Sequence, residues 1–251
     1  MATVRSLLDE LTPELGQVQS RAEPWVCDTC MGPVSPAFSC CYACNELLEK
    51  GVPSQVMGAV VPASIATSPG RWYRRLLTYK DGNPNYRAHL AALAWAYLEQ
   101  HEDRLSNLAG GAIDVVTPVP SKRGRTFDQH PLRQALAVVR PIEGRLANTL
   151  RFEPDAGVNL RRDYYPGCFD PGPDAVSGKR VLVVEDSWVT GATALSAAGA
   201  LLTYGAVSIA ILSLARVVEV DFWADSGHPY LARVLADSAQ RESYDITRWL
   251  R

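Results

Sequence analysis

Residues 181–194 read VLVVEDSWVTGATA, and no other stretch restricts the fold as much. Four aliphatic residues run straight into Glu185 and Asp186. Small residues follow in GATALSAAGALLTYG (191–205), then a second apolar run, AVSIAILSLARVV (206–218). The two apolar runs read as buried strands and the segment between them as a helix. Strand, helix and strand of these lengths form a βαβ unit, which requires parallel strands with helices on the sheet faces. In such a sheet, ligands sit beyond the carboxyl ends of the strands, where Glu185 and Asp186 stand. The loop after them enters a helix N-terminus, whose unpaired N–H groups and positive dipole suit a phosphate. Gly191 lets the backbone approach an anion closely. Thr190 and Thr193 add hydroxyl donors, and adjacent carboxylates accept well from a vicinal diol. Together these parts describe a ribose 5-phosphate site, with the diol on the acids and the phosphate on the loop. The plainer alternative is an acidic strand end followed by an N-capping threonine.

The chain has 251 residues, 47% hydrophobic and 21% charged, enough to bury one large domain, with or without a small module. Its net charge of −2 gives no global electrostatic case for nucleic-acid binding. The N-terminus lacks the apolar core of a signal peptide. The nearest apolar run, LAALAWAYL (90–98), falls short of the ~18 residues of a membrane span. The expectation is a cytoplasmic protein with no membrane span, in which six cysteines indicate metal or free thiols more than disulfides.

Residues 4–21 read as an amphipathic helix interrupted near Pro13, and 51–70 as a connector rich in Pro, Ser and Gly. RWYRRLLTYK (71–80) reads as a short basic helix, and NYRAHLAALAWAYLEQH (85–101) as a helix begun at Asn83-Pro84. IDVVTPVP (113–120) reads as a buried strand and HPLRQALAVVR (130–140) as a helix. Residues 151–180 read as irregular. The expected division is a helical segment at 1–24, a cysteine module at 25–50, an α/β domain at 51–218 and a tail at 219–251.

CDTC (27–30) and CYAC (41–44) form two C-x2-C pairs separated by ten residues. Four thiolates, Cys27, Cys30, Cys41 and Cys44, satisfy tetrahedral zinc in a structural role. Two disulfides, or reduced cysteines without metal, are the alternatives. Cys40 is a spare neighbour, and Cys168 reads as a plain loop thiol. Cys27→Ser or Cys44→Ser is expected to release zinc and loosen the module while the α/β domain stays folded.

Four apolar residues, two acids, a short spacer and Thr-Gly-x-Thr resemble the phosphoribosyl-pyrophosphate (PRPP) motif of the type I phosphoribosyltransferases. The resemblance implies a central parallel sheet flanked by helices. It places the ribose hydroxyls on the catalytic pair Glu185 and Asp186, and the 5-phosphate on Val189, Thr190, Gly191, Ala192 and Thr193. A four-cysteine module ahead of this motif resembles the ComF family of phosphoribosyltransferase-like proteins, associated with DNA uptake. DVVTPVPSKRGRTFDQ (114–129) extends the likeness, with Thr126 and Asp128 where that family carries Gly and Asn. Ser121, Lys122, Arg123 and Arg125 are then the implied pyrophosphate ligands, and Mg2+ the ion bound with PRPP.

Three readings remain open. One is a PRPP-dependent transferase with an unknown acceptor. Another is a PRPP- or nucleotide-binding protein without turnover. The third is a competence-type factor meeting single-stranded DNA or a protein partner, in which Arg71, Arg74, Arg75 and Lys80 lie among Trp72, Tyr73 and Tyr79. Arg161 and Arg162 could close over the site, and His130 reads as a helix-start residue.

Overall fold

The computed structural model describes residues 3–122, 125–154, 157–172, 174–224 and 227–239. The chain opens with α1 (Val4–Leu11), capped reciprocally by Thr3 and Ser6, and a 3-10 turn follows at Thr12–Glu14. The interruption expected near Pro13, which has no N–H to give, is present, and no helix resumes before residue 21. The cysteine module follows, closed by α2 (Tyr42–Glu49).

The stretch read as a connector is structured. It holds α3 (Ser54–Met57), β1 (Val60–Pro62) and β2 (Ile65–Ser68). Next come α4 (Arg71–Thr78), with a 3-10 turn at Tyr79–Asp81, and α5 (Pro84–Leu108). The Asn83 side chain accepts from the Asn85 N–H at 3.0 Å and Pro84 pre-sets φ, which fixes the start of α5 as expected. β3 (Val115–Pro118), α6 (Pro131–Leu136) and the hairpin β4 (Leu150–Phe152) with β5 (Phe169–Pro171) lead to β6 (Arg180–Glu185). The last elements are α7 (Ala192–Thr203), β7 (Ser208–Ser213), β8 (Arg216–Glu219), α8 (Val220–Ala224) and α9 (Pro229–Ala239).

Among the described residues, β1, β7, β6 and β3 form a central parallel sheet in that order. The fold is the expected α/β arrangement, with β6–α7–β7 as the βαβ unit. Alternate residues face opposite layers. Val61, Val116, Leu182, Val184, Ala210 and Leu212 pack with α4, α5 and α6. Val60, Val181, Val183, Ile209 and Ile211 face the other way, where α7, α2, α3 and the four cysteines share one continuous core. The run read as a single last strand is split at Leu214-Ala215. β7 stays in the central sheet, whereas β8 pairs parallel with β2 in a separate two-stranded sheet.

Candidate functional site

β3 and β6 are neighbours, with Pro118 opposite Val184, so the loops after both strands emerge side by side. Glu185 is the last residue of β6 and half-buried, and Asp186 beside it is buried. Gly191, at φ +91°, turns the chain into α7, a conformation that a side chain resists. Trp188 is buried beneath this turn, and a Cβ on Gly191 would lie 2.0 Å from its ring. The tryptophan therefore packs under the loop instead of covering a ligand.

The acidic pair carries partners that its own segment does not reveal. Lys80 Nζ lies 2.6 Å from Asp186 Oδ2, and the Tyr79 hydroxyl donates to the same oxygen. Ser187 Oγ donates to Asp186 Oδ1 at 2.9 Å. Burial opposes ionisation of Asp186, but the Lys80 charge and the hydrogen bonds from Lys80 and Tyr79 outweigh it and hold the carboxyl below its usual range. Glu185 moves the other way: burial, and then the Asp186 charge next door, push it well above the usual carboxylate range. Burial, followed by the Asp186 charge, also raises Tyr79, which stays protonated as a donor. The arrangement is one ionised acid and one that holds its proton more tightly.

Cations surround the pair. Lys122 Nζ donates to Thr193 Oγ1 at 2.8 Å, tying the β3 loop to the start of α7. Arg125 Nη2 donates to the Lys80 carbonyl at 2.9 Å. Ser121 lies on the same loop, half-buried, while Arg123 falls outside the described residues. Asp128 is turned to α6, where Arg133 Nη2 lies 3.3 Å from it. His130 caps α6, its Nδ1 accepting from the Arg133 N–H at 3.3 Å.

The two motif threonines already donate to a neighbouring segment. Thr190 Oγ1 donates to the Arg161 carbonyl at 2.5 Å and Thr193 Oγ1 to the Leu160 carbonyl at 3.0 Å. Residues 160 and 161 thus lie directly against the loop. Lys50, at the end of α2, fastens this segment by donating to the Arg162 carbonyl at 2.9 Å and pairing with Asp163 at 3.1 Å.

Cys27, Cys30, Cys41 and Cys44 converge behind the loop. Their sulfurs all lie within 4.8 Å of one another, every one is buried, and none forms a disulfide. The Cys30 and Cys41 sulfurs are 3.7 Å apart, close to the separation of about 3.8 Å that a tetrahedron with 2.3 Å metal–sulfur bonds requires. The Cys41 N–H donates to Cys27 Sγ at 3.3 Å, as a thiolate ligand favours. Four buried thiol donors at this spacing fit a tetrahedral metal. Cys40 lies outside the group, with its sulfur 3.8 Å from Thr29 Oγ1, and Cys168 is buried in the sheet core.

Lys80, Tyr79 and Arg216 are the residues that sequence reasoning missed. The sequence groups Lys80 and Tyr79 with a basic aromatic helix, but Trp72 and Tyr79 are buried and cannot offer stacking faces. Arg75 is spent on Glu14, with Nε 2.6 Å from its carboxylate. The signal for Arg216 was present, since a lone arginine inside the apolar run 206–218 has to find a partner when buried.

The site belongs to an α/β protein in which an acidic pair and an anion-suited loop close a parallel sheet above a four-thiol cluster. No family model matches the sequence, and no curated protein matches it. Among solved structures, the chain is similar to Mycobacterium tuberculosis H37Rv orotate phosphoribosyltransferase in complex with inorganic phosphate, at 20% identity over 63% of this chain and 72% of that one, with a TM-score of 0.33. It is also similar to a Trypanosoma cruzi hypoxanthine phosphoribosyltransferase in complex with the product IMP, at 14% identity over 48% and 65%, with a TM-score of 0.31.

Proposed function

We propose that the chain binds PRPP at the loop between β6 and α7, as a type I phosphoribosyltransferase-like protein of the ComF kind. In this reading it transfers the phosphoribosyl group to an acceptor and releases pyrophosphate. One observation carries the reading: the register of β3 against β6 sets Lys122 and Arg125 beside Glu185, Asp186 and the Thr-Gly-x-Thr turn. The 5-phosphate belongs on residues 189–193, with the amides at the start of α7 as donors and the two threonine hydroxyls joining them by giving up the Arg161 and Leu160 carbonyls. Glu185 and Asp186 take the ribose hydroxyls. Lys80, Lys122 and Arg125 face the leaving pyrophosphate, where fixed cations stabilise charge that develops on departure. Magnesium, arriving with PRPP, supplies further neutralisation of that charge. The four thiolates hold a structural zinc.

Calorimetric titration of PRPP with magnesium tests the reading. Wild type should bind, while Thr193→Val should weaken binding about tenfold, the loss of roughly one hydrogen bond to a charged group. Asp186→Asn should abolish it. A folded wild type with no binding removes the proposal.

One observation favours binding without turnover: Asp186 Oδ2 is already shared by Lys80 and Tyr79. Pyrophosphate release on adding nucleobases to the PRPP complex separates the two readings.

A further inference from the structure

The cysteine cluster and the 188–193 loop meet at one side chain. Arg216, the first residue of β8, is only 8% exposed. Its Nε donates to Cys30 Sγ at 3.2 Å. Its Nη1 donates to the carbonyls of Trp188 at 3.2 Å, Val189 at 3.0 Å and Val217. The surrounding backbone is locked as well. The Arg216 N–H donates to the Ser64 carbonyl at 2.8 Å, the Trp188 N–H to Ala215 at 2.7 Å and the Val217 N–H to Trp188 at 2.9 Å. Gly32, beside the second metal-ligand candidate, leaves the room: a Cβ there would lie 2.6 Å from Arg216 Nε.

A guanidinium taken out of water needs compensating negative charge. The side chain it meets is a cysteine of the metal cluster, and a metal-bound cysteine is a thiolate. A trans peptide points its C=O and the next N–H in opposite directions. By holding the Trp188 and Val189 carbonyls, Arg216 therefore turns the N–H groups of Val189 and Thr190 away from the cysteine cluster.

We propose that Arg216 is a positioning residue that makes the anion-binding geometry of the 188–193 loop depend on metal in the four-cysteine site. The proposal rests on the reading of that loop as a phosphate site. With metal bound, a fixed thiolate anchors the guanidinium, and the guanidinium sets two peptide planes of the loop. Without metal, the Cys30 side chain is free to move, the anchor is lost, and the planes relax. Coupling of this kind is reciprocal: a ligand that favours the ordered loop tightens metal binding by the same factor.

Hydrogen exchange on the full-length chain gives the direct test. Stripping zinc with a chelator should speed exchange of the 188–193 amides about tenfold or more by local opening, with the β6 amides remaining the slower set. Zinc-loaded Arg216→Lys should reproduce the fast loop with its metal content intact, because lysine keeps the charge but cannot reach sulfur and carbonyls together. Gly32→Ala, which pushes on the guanidinium from the module side, should act in the same direction, and it serves if Arg216→Lys does not fold. Loop exchange that ignores both zinc removal and these variants overturns the proposal.

A second arm measures zinc affinity by chelator competition with and without saturating PRPP. A PRPP-dependent gain on the order of 5- to 100-fold in wild type, absent in Arg216→Lys, is expected. Equal zinc affinity with and without bound PRPP overturns the proposal. A loop that responds to zinc in a chain that never binds PRPP keeps the positioning role and removes the phosphate reading instead.

Discussion

At the scale of single residues, the site is built from charges that each need a specific neighbour. His130 illustrates this. Burial, reinforced by Lys80 and Arg125 against the pull of Asp186, lowers it from 6.5 to about 4. Its Nδ1 must stay unprotonated to accept from the Arg133 N–H. In the unfolded chain the same imidazole takes up a proton near 6.5, so between pH 6.5 and about 4 the unfolded state binds more protons. The contribution of His130 is present above 6.5 and lost as pH falls through that window, by up to about 3 kcal/mol. His130→Asn keeps a capping acceptor and removes the proton. Urea denaturation should therefore show wild type losing stability relative to the variant on acidification, and parallel pH profiles would contradict the assignment. Lys80 makes the second case. Lys80→Met strands the Asp186 carboxylate among neutral donors, and the expected loss is about 1–3 kcal/mol, smaller than for a fully buried pair because the lysine is one-third exposed. An unchanged denaturation midpoint would show the ion pair to be energetically idle.

At the scale of elements, the βαβ unit was legible because its signals are contiguous: four apolar residues, two acids, a glycine turn and a run of small residues. The elements that were missed lacked such signals. β1 and β2 are three and four residues long, lie among prolines and serines, and are mostly buried on both faces, so no alternation marks them. Their partners, 211–213 and 216–219, are some 150 positions away, and only the folded chain shows the pairing. The split of the last apolar run into β7 and β8 has the same origin, because Arg216 leaves the central sheet to pair with Ile65. The turn into α7 was readable, and its tolerance is narrow. Gly191→Ala would force a side chain into the left-handed region and into the Trp188 ring, at an expected cost of about 2–4 kcal/mol. Val189→Ala, at an exposed position on the same loop, should stay within about 0.5 kcal/mol. Thermal melts of the two variants should differ accordingly, and equal melts would mean the turn relaxes freely.

At the scale of the whole molecule, the cysteine module is less separable than its spacing suggested. Spacing groups four cysteines, but it cannot show what lies behind them. Cys27, Cys30, Cys41 and Cys44 belong to the same core as Val181, Val183, Ala192, Leu195 and Ile211. Arg216 joins that core to the loop from one side, and Lys50 fastens the 160–163 segment from the other. His228 and Tyr230 extend the contact, with the Tyr230 hydroxyl donating to the Met31 carbonyl at 2.7 Å. A change at the cysteines therefore reaches the sheet directly. Removing zinc should lower the stability of the entire described fold in one transition. At free zinc a thousandfold above its dissociation constant, the metal contributes about 4 kcal/mol. For a chain of this size that corresponds to a fall of roughly 8–16 °C in melting temperature. Calorimetry of loaded and stripped protein distinguishes the outcomes. One cooperative peak that shifts as a whole means the four thiolates stabilise the sheet and the loop together. Two peaks, with the upper one unmoved, would mean that the module unfolds by itself and that the shared core does not couple it to the β6–α7 site.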